Sequence, residues 1–117
     1  MSGVFHRVPV DLSHLRSLFD NDPATEQKLF NVFLRQASEL LHMLEVSCGE
    51  NQMNEWRQAA HKLKGSSANL GAHALSDLCN KAEHSYAAPK SEKQKSIDDI
   101  QKELASVKAF LSDITFS

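Results

Sequence analysis

Apolar residues recur every three or four positions along most of this 117-residue chain. That spacing is typical of amphipathic helices, because an α-helix completes one turn in about 3.6 residues. The longest such stretch covers residues 23–47, and its apolar positions are Leu29, Phe30, Phe33, Leu34, Ala37, Leu40, Leu41 and Leu44. No segment alternates apolar and polar residues over the length of a strand. The sequence therefore predicts an all-α protein.

Turn and capping residues divide the chain into helices. The predicted helices are 11–20, 23–47, about 51–70, 72–86 and from about 91 onward. Asp11 and Asp22 are the expected N-caps of the first two helices, and Gly49 and Gly71 the expected terminators of the second and third. Tyr86 is expected on the apolar side of the fourth helix. Short connections between long amphipathic helices favour an antiparallel, up-down-up-down four-helix bundle, with the short N-terminal helix capping one end.

The length and net charge of the chain limit its domain organisation and the kinds of partner that it can bind. We expect residues 1–10 to form a partly disordered N-terminal arm and 11–117 to form one helical bundle domain. The net charge of −2 argues against a nucleic-acid partner. No apolar run approaches the roughly 18 residues of a membrane span, and no signal peptide is evident. Direct membrane insertion is therefore not expected.

Cysteine and histidine usage points to a chain without a metal. Cys48 and Cys79 lie among apolar helical positions and form no Cys-x-x-Cys pair. We expect buried free thiols in a reducing compartment, and hence a cytoplasmic protein. The six histidines form no His-x-x-x-His or Glu-x-x-His pair, and Glu83 and His84 are adjacent and cannot face the same way. No metal site is predicted.

The stretch Ala59–Ala72 combines an apolar face with an unusual polar face. On a helical wheel, the residues within about 60° of His61 are Arg57, Lys64, Gly65 and Ala68. The residues on the opposite face are Trp56, Ala59, Leu63 and Leu70. His61 is therefore expected to point to water. Ser66 and Ser67, toward the apolar side, are expected to bond the helix backbone or pack against a neighbouring helix.

An exposed imidazole with cations nearby suits phosphoryl chemistry. A histidine in water has a pKa near 6.5, so at neutral pH it is mostly an uncharged nucleophile that needs no general base. Lys64 and Arg57 could favour a dianionic group on His61. A glycine in a helix interior, such as Gly65, lowers stability by about 1 kcal/mol relative to alanine. The need to give a partner access to the His61 ring would explain why glycine is present there. Many surface histidines have no function. From the spacing alone, a functional His61 and a surface histidine without function are equally well supported.

The run His61-Lys62-Leu63-Lys64-Gly65-Ser66-Ser67, followed by Leu70-Gly71-Ala72, closely resembles the signature of histidine-containing phosphotransfer (HPt) domains. Leu75, Leu78-Cys79 and Glu83 are similar to the next helix of that family. The resemblance implies that His61 carries a phosphoryl group and that Lys64 lies beside it. Arg57, placed near His61 by the helical wheel, is expected to help offset the negative charge. The resemblance also implies docking of a receiver domain at Gly65, Ala68, Asn69 and Glu83.

The implied function is that of a phosphocarrier in a multistep two-component phosphorelay. His61 would accept a phosphoryl group reversibly from a receiver-domain aspartyl phosphate and pass it to another receiver. The implied partners are response-regulator receiver domains and a hybrid sensor histidine kinase. No cofactor is expected on this chain, and Mg²⁺ is expected on the partner receiver. With no kinase, hydrolase or phosphate-loop signature, the chain is not expected to be an enzyme. The alternative is a helical adaptor that binds a receiver or kinase without carrying phosphate.

Overall fold

The structure, a computed structural model, describes residues 9–19, 22–49 and 51–115. It consists of α1 (Ser13–Phe19), α2 (Pro23–Val46), α3 (Met53–Leu70), α4 (His73–His84) and α5 (Lys90–Thr115). The described residues contain no strand, so the predicted all-α class is confirmed. Of the predicted N-terminal arm, 1–10, residues 1–8 lie outside the described part of the chain, whereas Val10 is described and belongs to the buried core.

The four long helices pack in a closed ring of neighbours. Helix α2 packs against α3 and α5, and α4 packs against the same two helices. Each long helix therefore buries its apolar stripe between two others, as a four-helix bundle requires. The up-down-up-down order and the capping of one end by α1 stay predictions.

The apolar face of each helix forms one continuous core. Its largest fully buried side chain is Trp56 of α3, whose indole nitrogen donates to the Ala82 carbonyl oxygen at 2.6 Å. Lys93 of α5 is also buried, with its ammonium group 5.3 Å from the centre of the Trp56 ring. A cation over the face of an indole is attracted by the negative face of the ring. Trp56 therefore links α3 to α4 and to α5.

Helix α2 begins as the sequence predicts but ends differently. The Asp22 carboxylate caps its N-terminus by accepting from the Ala24 amide at 3.2 Å, and the hydrogen bond from the Thr25 hydroxyl lowers the pKa of Asp22. The prediction that Gly49 terminates this helix is wrong. The C-cap is Ser47, whose hydroxyl donates to the Met43 carbonyl at 2.6 Å. A serine that satisfies the last carbonyls makes a left-handed glycine unnecessary.

Gly71 ends α3 and cannot be replaced without strain. Its φ is +95°, in the left-handed region that favours glycine, and its amide donates to the Ser67 and Ala68 carbonyls at 3.1 Å. A Cβ at this position would lie 1.9 Å from the Asp11 carbonyl oxygen. The Asp11 amide in turn donates to the Gly71 carbonyl at 2.9 Å. Gly71 therefore holds the segment before α1 against the turn between α3 and α4.

The structure also bears on the cysteines and on membrane insertion. Cys48 and Cys79 are both buried and free, as predicted. Burial raises the pKa of the Cys79 thiol to about 12, which keeps it protonated and unreactive near neutral pH. Within the described residues, no helix combines the length and the apolar character needed to cross a bilayer.

Candidate functional site

Helix α3 separates a buried face from an exposed one, and His61 lies on the exposed face. The His61 side chain is 65% exposed, whereas Trp56 and Leu63 are fully buried. The separation follows from the 3.6-residue period, which turns positions three and four apart toward the same side. Helix α3 therefore offers an imidazole to solvent from a rigidly packed element.

Helix α4 runs antiparallel to α3 and presents its side chains to this exposed face. Along α3 the paired residues are Trp56 with Ala82, Arg57 with Tyr86, His61 with Glu83, and Lys64 with Asn80 and Ser76. The contact to Ser76 runs from its hydroxyl to the Lys64 carbonyl at 3.1 Å. Tyr86 lies two residues beyond the end of α4. Within α4, the contacts run from Ala82 opposite Trp56 to Ser76 opposite Lys64, and they fix the register in which His61 meets Glu83.

The Glu83 carboxylate bridges two residues of α3. Its Oε2 atom lies 3.1 Å from Nδ1 of His61, and its Oε1 atom lies 2.6 Å from Nζ of Lys64. The hydrogen bond from Lys64 is the main reason that the pKa of Glu83 lies below its ordinary value, and the bond to His61 adds to it. Asn80 also accepts from Nζ of Lys64, at 3.4 Å. The Lys64 ammonium group is thereby held beside the Glu83 carboxylate, which offsets its charge.

The Glu83 contact decides which tautomer of His61 is present. A carboxylate can only accept hydrogen bonds, so the 3.1 Å contact requires Nδ1 of His61 to carry the hydrogen. In the neutral imidazole the lone pair is then on Nε2. An oriented, neutral imidazole with a free Nε2 lone pair is a nucleophile.

A cleft of about 350 Å³ lies beside the imidazole. Its lining residues are Asn54, Arg57, Gln58, His61, Lys62 and Glu83. The predicted site residue Arg57 therefore shares a cleft with His61. Its guanidinium group stands 5.1 Å from the centre of the Tyr86 ring. The structure thus brings Lys64, Arg57 and Glu83 to the imidazole from two helices.

The predicted docking residues lie on the turns of α3 that follow His61. Gly65, Ala68 and Asn69 are all exposed. A Cβ at Gly65 would meet nothing within 4 Å, so the packing of this chain does not require glycine there. That this glycine gives an external partner access to the imidazole stays a prediction. Ser66 donates to the Lys62 carbonyl at 2.8 Å, which agrees with its predicted bond to the helix backbone.

A shallow apolar groove of about 180 Å³ adjoins this docking surface. Ser66 and Asn69 form its α3 side, and Val32 lies on its α2 side with 51% of its surface exposed. The other residues that line it are Leu15, Leu29, Phe33, Gln36 and Leu70.

Sequence reasoning missed two residues of this region. Tyr86 was expected on the apolar side of the fourth helix, but α4 ends at His84 and Tyr86 is 38% exposed. That expectation is wrong because the Ser85 amide bonds the Ala82 carbonyl and the chain leaves the helix one residue before Tyr86. Asn80 carried no signal, since only the pairing of α3 with α4 brings it to Lys64. Among the residues that the structure describes, no group of three or more His, Cys, Asp or Glu side chains could hold a metal ion.

The comparisons with known proteins agree with this geometry. The sequence profile of the Hpt domain matches residues 28–114. The chain belongs to the Hpt-domain family. The fold of this Hpt chain is similar to the crystal structure of histidine-containing phosphotransfer protein B (HptB) from Pseudomonas aeruginosa PAO1, with a TM-score of 0.77 and 23% sequence identity. The similarity covers 92% of this chain and 94% of that chain. A search of curated protein sequences found no match. The family supports a role in phosphotransfer.

Proposed function

We propose that this Hpt protein is a phosphocarrier of a multistep phosphorelay, in which His61 accepts a phosphoryl group from one receiver domain and passes it to another. The observation that carries the proposal is the 3.1 Å contact between Glu83 and Nδ1 of His61. It gives an exposed imidazole the tautomer whose Nε2 atom can attack phosphorus. The proposed partners are response-regulator receiver domains and a hybrid sensor histidine kinase. The two buried free thiols favour a reducing, cytoplasmic setting.

The transfer requires no proton to leave the imidazole. As the bond from Nε2 to phosphorus forms, the bond from phosphorus to the aspartyl oxygen breaks, and the aspartate leaves as a carboxylate. The ring keeps its hydrogen on Nδ1 and gains positive charge. The Glu83 carboxylate, 3.1 Å from Nδ1, stabilises that charge. The same atoms serve the reverse step, so the transfer is reversible.

The cations of the site stabilise the negative charge of the phosphoryl group. Lys64 is placed next to the imidazole by Glu83 and Asn80, and it can turn toward the phosphoryl oxygens once they arrive. We expect no cofactor on this chain. The receiver, with its Mg²⁺, is expected to supply most of the charge stabilisation in the transition state. The chain itself acts as a carrier, without kinase or nucleotide-binding activity.

Docking is proposed to occur on the exposed face that follows His61 along α3. Gly65 leaves the approach to the imidazole open, and Ala68 and Asn69 extend the surface by one turn. The apolar groove that begins at Asn69 and includes Val32 extends it across to α2. A partner seated there would cover apolar surface while its aspartate faces the imidazole.

The proposal is tested by incubating the chain with phosphorylated receiver domains and mapping the label. We expect a label that is lost in acid, is stable in base and resides on His61. The His61→Gln variant should keep the fold and lose the label. The matched control is His42→Gln, because His42 is an exposed histidine on α2, with its side chain 73% exposed and 3.8 Å from a carboxylate oxygen of Glu45. Full labelling of His61→Gln would overturn the assignment, and unlabelled wild type that still binds receivers would indicate an adaptor.

A further inference from the structure

Arg57 and Tyr86 form a cation–π pair at the edge of the cleft that contains His61. The guanidinium carbon lies 5.1 Å from the centre of the Tyr86 ring, within the range of an attractive contact. Among the described residues, no carboxylate oxygen lies within 4.0 Å of this guanidinium. No carboxylate of the described residues therefore neutralises the charge of Arg57.

Lys64 differs from Arg57 in this respect. Its ammonium group is 2.6 Å from an oxygen of Glu83, so an incoming dianion must compete with a carboxylate for it. Arg57 instead contacts the ring of Tyr86, and a cation–π contact leaves the guanidinium N–H groups able to bind an oxyanion. Of the two cations, Arg57 is the one prepared to receive an oxyanion.

Helix geometry directs the His61 ring toward the turn that carries Arg57. Side chains of a helix lean toward its N-terminus, so the His61 ring leans over the preceding turn, which carries Arg57. Both residues line the cleft of about 350 Å³. An oxyanion bound at His61 on this side lies within reach of the guanidinium.

The backbone that carries Tyr86 is well fixed. The Ser85 amide donates to the Ala82 carbonyl at 3.0 Å, and the Ala88 amide donates to the Ser85 carbonyl at 2.9 Å. The Ala82 carbonyl also accepts from the indole of Trp56, which immediately precedes Arg57 on α3. The Ala82 carbonyl therefore accepts hydrogen bonds from the residue before Arg57 and from the residue before Tyr86, which fixes both chain segments relative to each other.

We propose that Arg57 binds an oxygen of the phosphoryl group carried by His61, and that Tyr86 is the positioning residue that holds Arg57 there. The inference rests on the proposed phosphocarrier function and adds to its site a residue just beyond the C-terminal end of α4. Tyr86 acts only through Arg57 and touches no reacting atom.

The test uses the full chain labelled with phosphoramidate, a small phosphoryl donor that needs no receiver. The readout is the pH midpoint at which the ³¹P resonance of phosphorylated His61 titrates, since a nearby cation favours the dianion and lowers that midpoint. Loss of an exposed cation–π contact corresponds to about a two- to fivefold change in an equilibrium constant, here the acid dissociation constant of the phosphoryl group. We therefore expect Tyr86→Ala to raise the midpoint by about 0.3–0.7 pH units, Arg57→Gln to raise it at least as much, and Tyr86→Phe to leave it unchanged.

Lys62→Gln is the matched control, because Lys62 lines the same cleft and its loss changes the charge equally. A shift in Lys62→Gln as large as that in Arg57→Gln would overturn the inference, as would midpoints unchanged in both Arg57→Gln and Tyr86→Ala. The proposed function fails separately, if wild type takes no phosphoryl group at His61 from a phosphorylated receiver. Wild type that is labelled there, with Arg57 and Tyr86 variants identical to it, refutes this inference alone.

Discussion

The carboxylate of Glu83 lies 3.1 Å from Nδ1 of His61, the ring nitrogen opposite the one that is free to react. Twenty-two positions separate the two residues in the sequence, and the pairing of α3 with α4 brings them together. The contact orients the imidazole and selects its tautomer, and in the proposed transfer it places negative charge where the ring becomes positive. Glu83 therefore belongs to the centre of the site, whereas the sequence predicted it only as a docking residue.

Removing this carboxylate should slow phosphoryl transfer while leaving the acceptor in place. In Glu83→Ala the imidazole loses its orienting partner, and the developing positive charge loses its counter-charge. A hydrogen bond to a charged group contributes about 1.5–3 kcal/mol, which corresponds to roughly 10- to 100-fold in rate, and we expect a loss in that range for transfer from a receiver to His61. Rapid-quench measurements of labelled His61 provide the rate.

Glu83→Gln separates orientation from charge. Its amide oxygen can still accept from Nδ1, so the tautomer is kept while the negative charge is lost. We expect a rate between those of wild type and Glu83→Ala. If Glu83→Ala transfers as fast as wild type, the carboxylate has no part in the chemistry.

The lowered pKa of Glu83 predicts a stability difference that depends on pH. Because its pKa in the folded chain lies below the ordinary 4.5, chiefly through the bond from Lys64, the carboxylate contributes stability above that value. The contribution is lost as the pH falls through the lower, folded-state pKa. Urea unfolding of wild type and Glu83→Gln should show a difference in the free energy of unfolding at about pH 6 that shrinks by about pH 3. A difference independent of pH would contradict the ionised bridge.

Gly65 and Gly71 both lie in the family motif, and the structure predicts opposite effects for the same substitution. Gly65→Ala places a methyl group in open space inside a helix, so it should raise stability by about 0.5–1 kcal/mol. Gly71→Ala forces a Cβ onto a residue with φ of +95° and against the Asp11 carbonyl, and it should lower stability by at least about 2 kcal/mol. Thermal or urea unfolding of the two variants checks the signs.

Substitutions at these two glycines also separate an effect on folding stability from an effect on the rate of phosphoryl transfer. Gly65→Gln should fold normally and slow transfer from a receiver, because the longer side chain crowds the approach to the imidazole. Gly71→Ala should transfer normally to the extent that it is folded. Unchanged transfer in Gly65→Gln would remove the clearance argument.

Sequence pattern alone predicted the helices because their causes are local. The apolar period, the Asp22 cap and the Gly71 terminator each act within a few residues, and the structure contains all three. The end of α2 was predicted wrongly because two local candidates, Ser47 and Gly49, compete there. The serine hydroxyl, 2.6 Å from the Met43 carbonyl, is the group that caps the helix.

The contacts between helices could not be predicted from the sequence pattern, because they depend on how α4 is rotated against α3. That rotation is set by buried contacts such as the bond from Trp56 to the Ala82 carbonyl. A wheel of α3 alone placed Lys64 beside His61, but it could not show the carboxylate between them. It also could not show Tyr86 beneath Arg57, since the end of α4 decides where that ring stands.

Docking across the apolar groove predicts a specific role for Val32, whose side chain is 51% exposed. Val32→Asp should leave stability within about 0.5 kcal/mol of wild type, because an exposed helical valine contributes little. It should lower transfer from a receiver about 5- to 30-fold, since a charge would replace an apolar contact at the interface. The matched control is Val46→Asp, because Val46 is 59% exposed on the same helix and does not line the groove. Labelling by phosphoramidate should be equal in both variants, since it needs no docking. Equal transfer rates in both variants would place the receiver elsewhere on the chain.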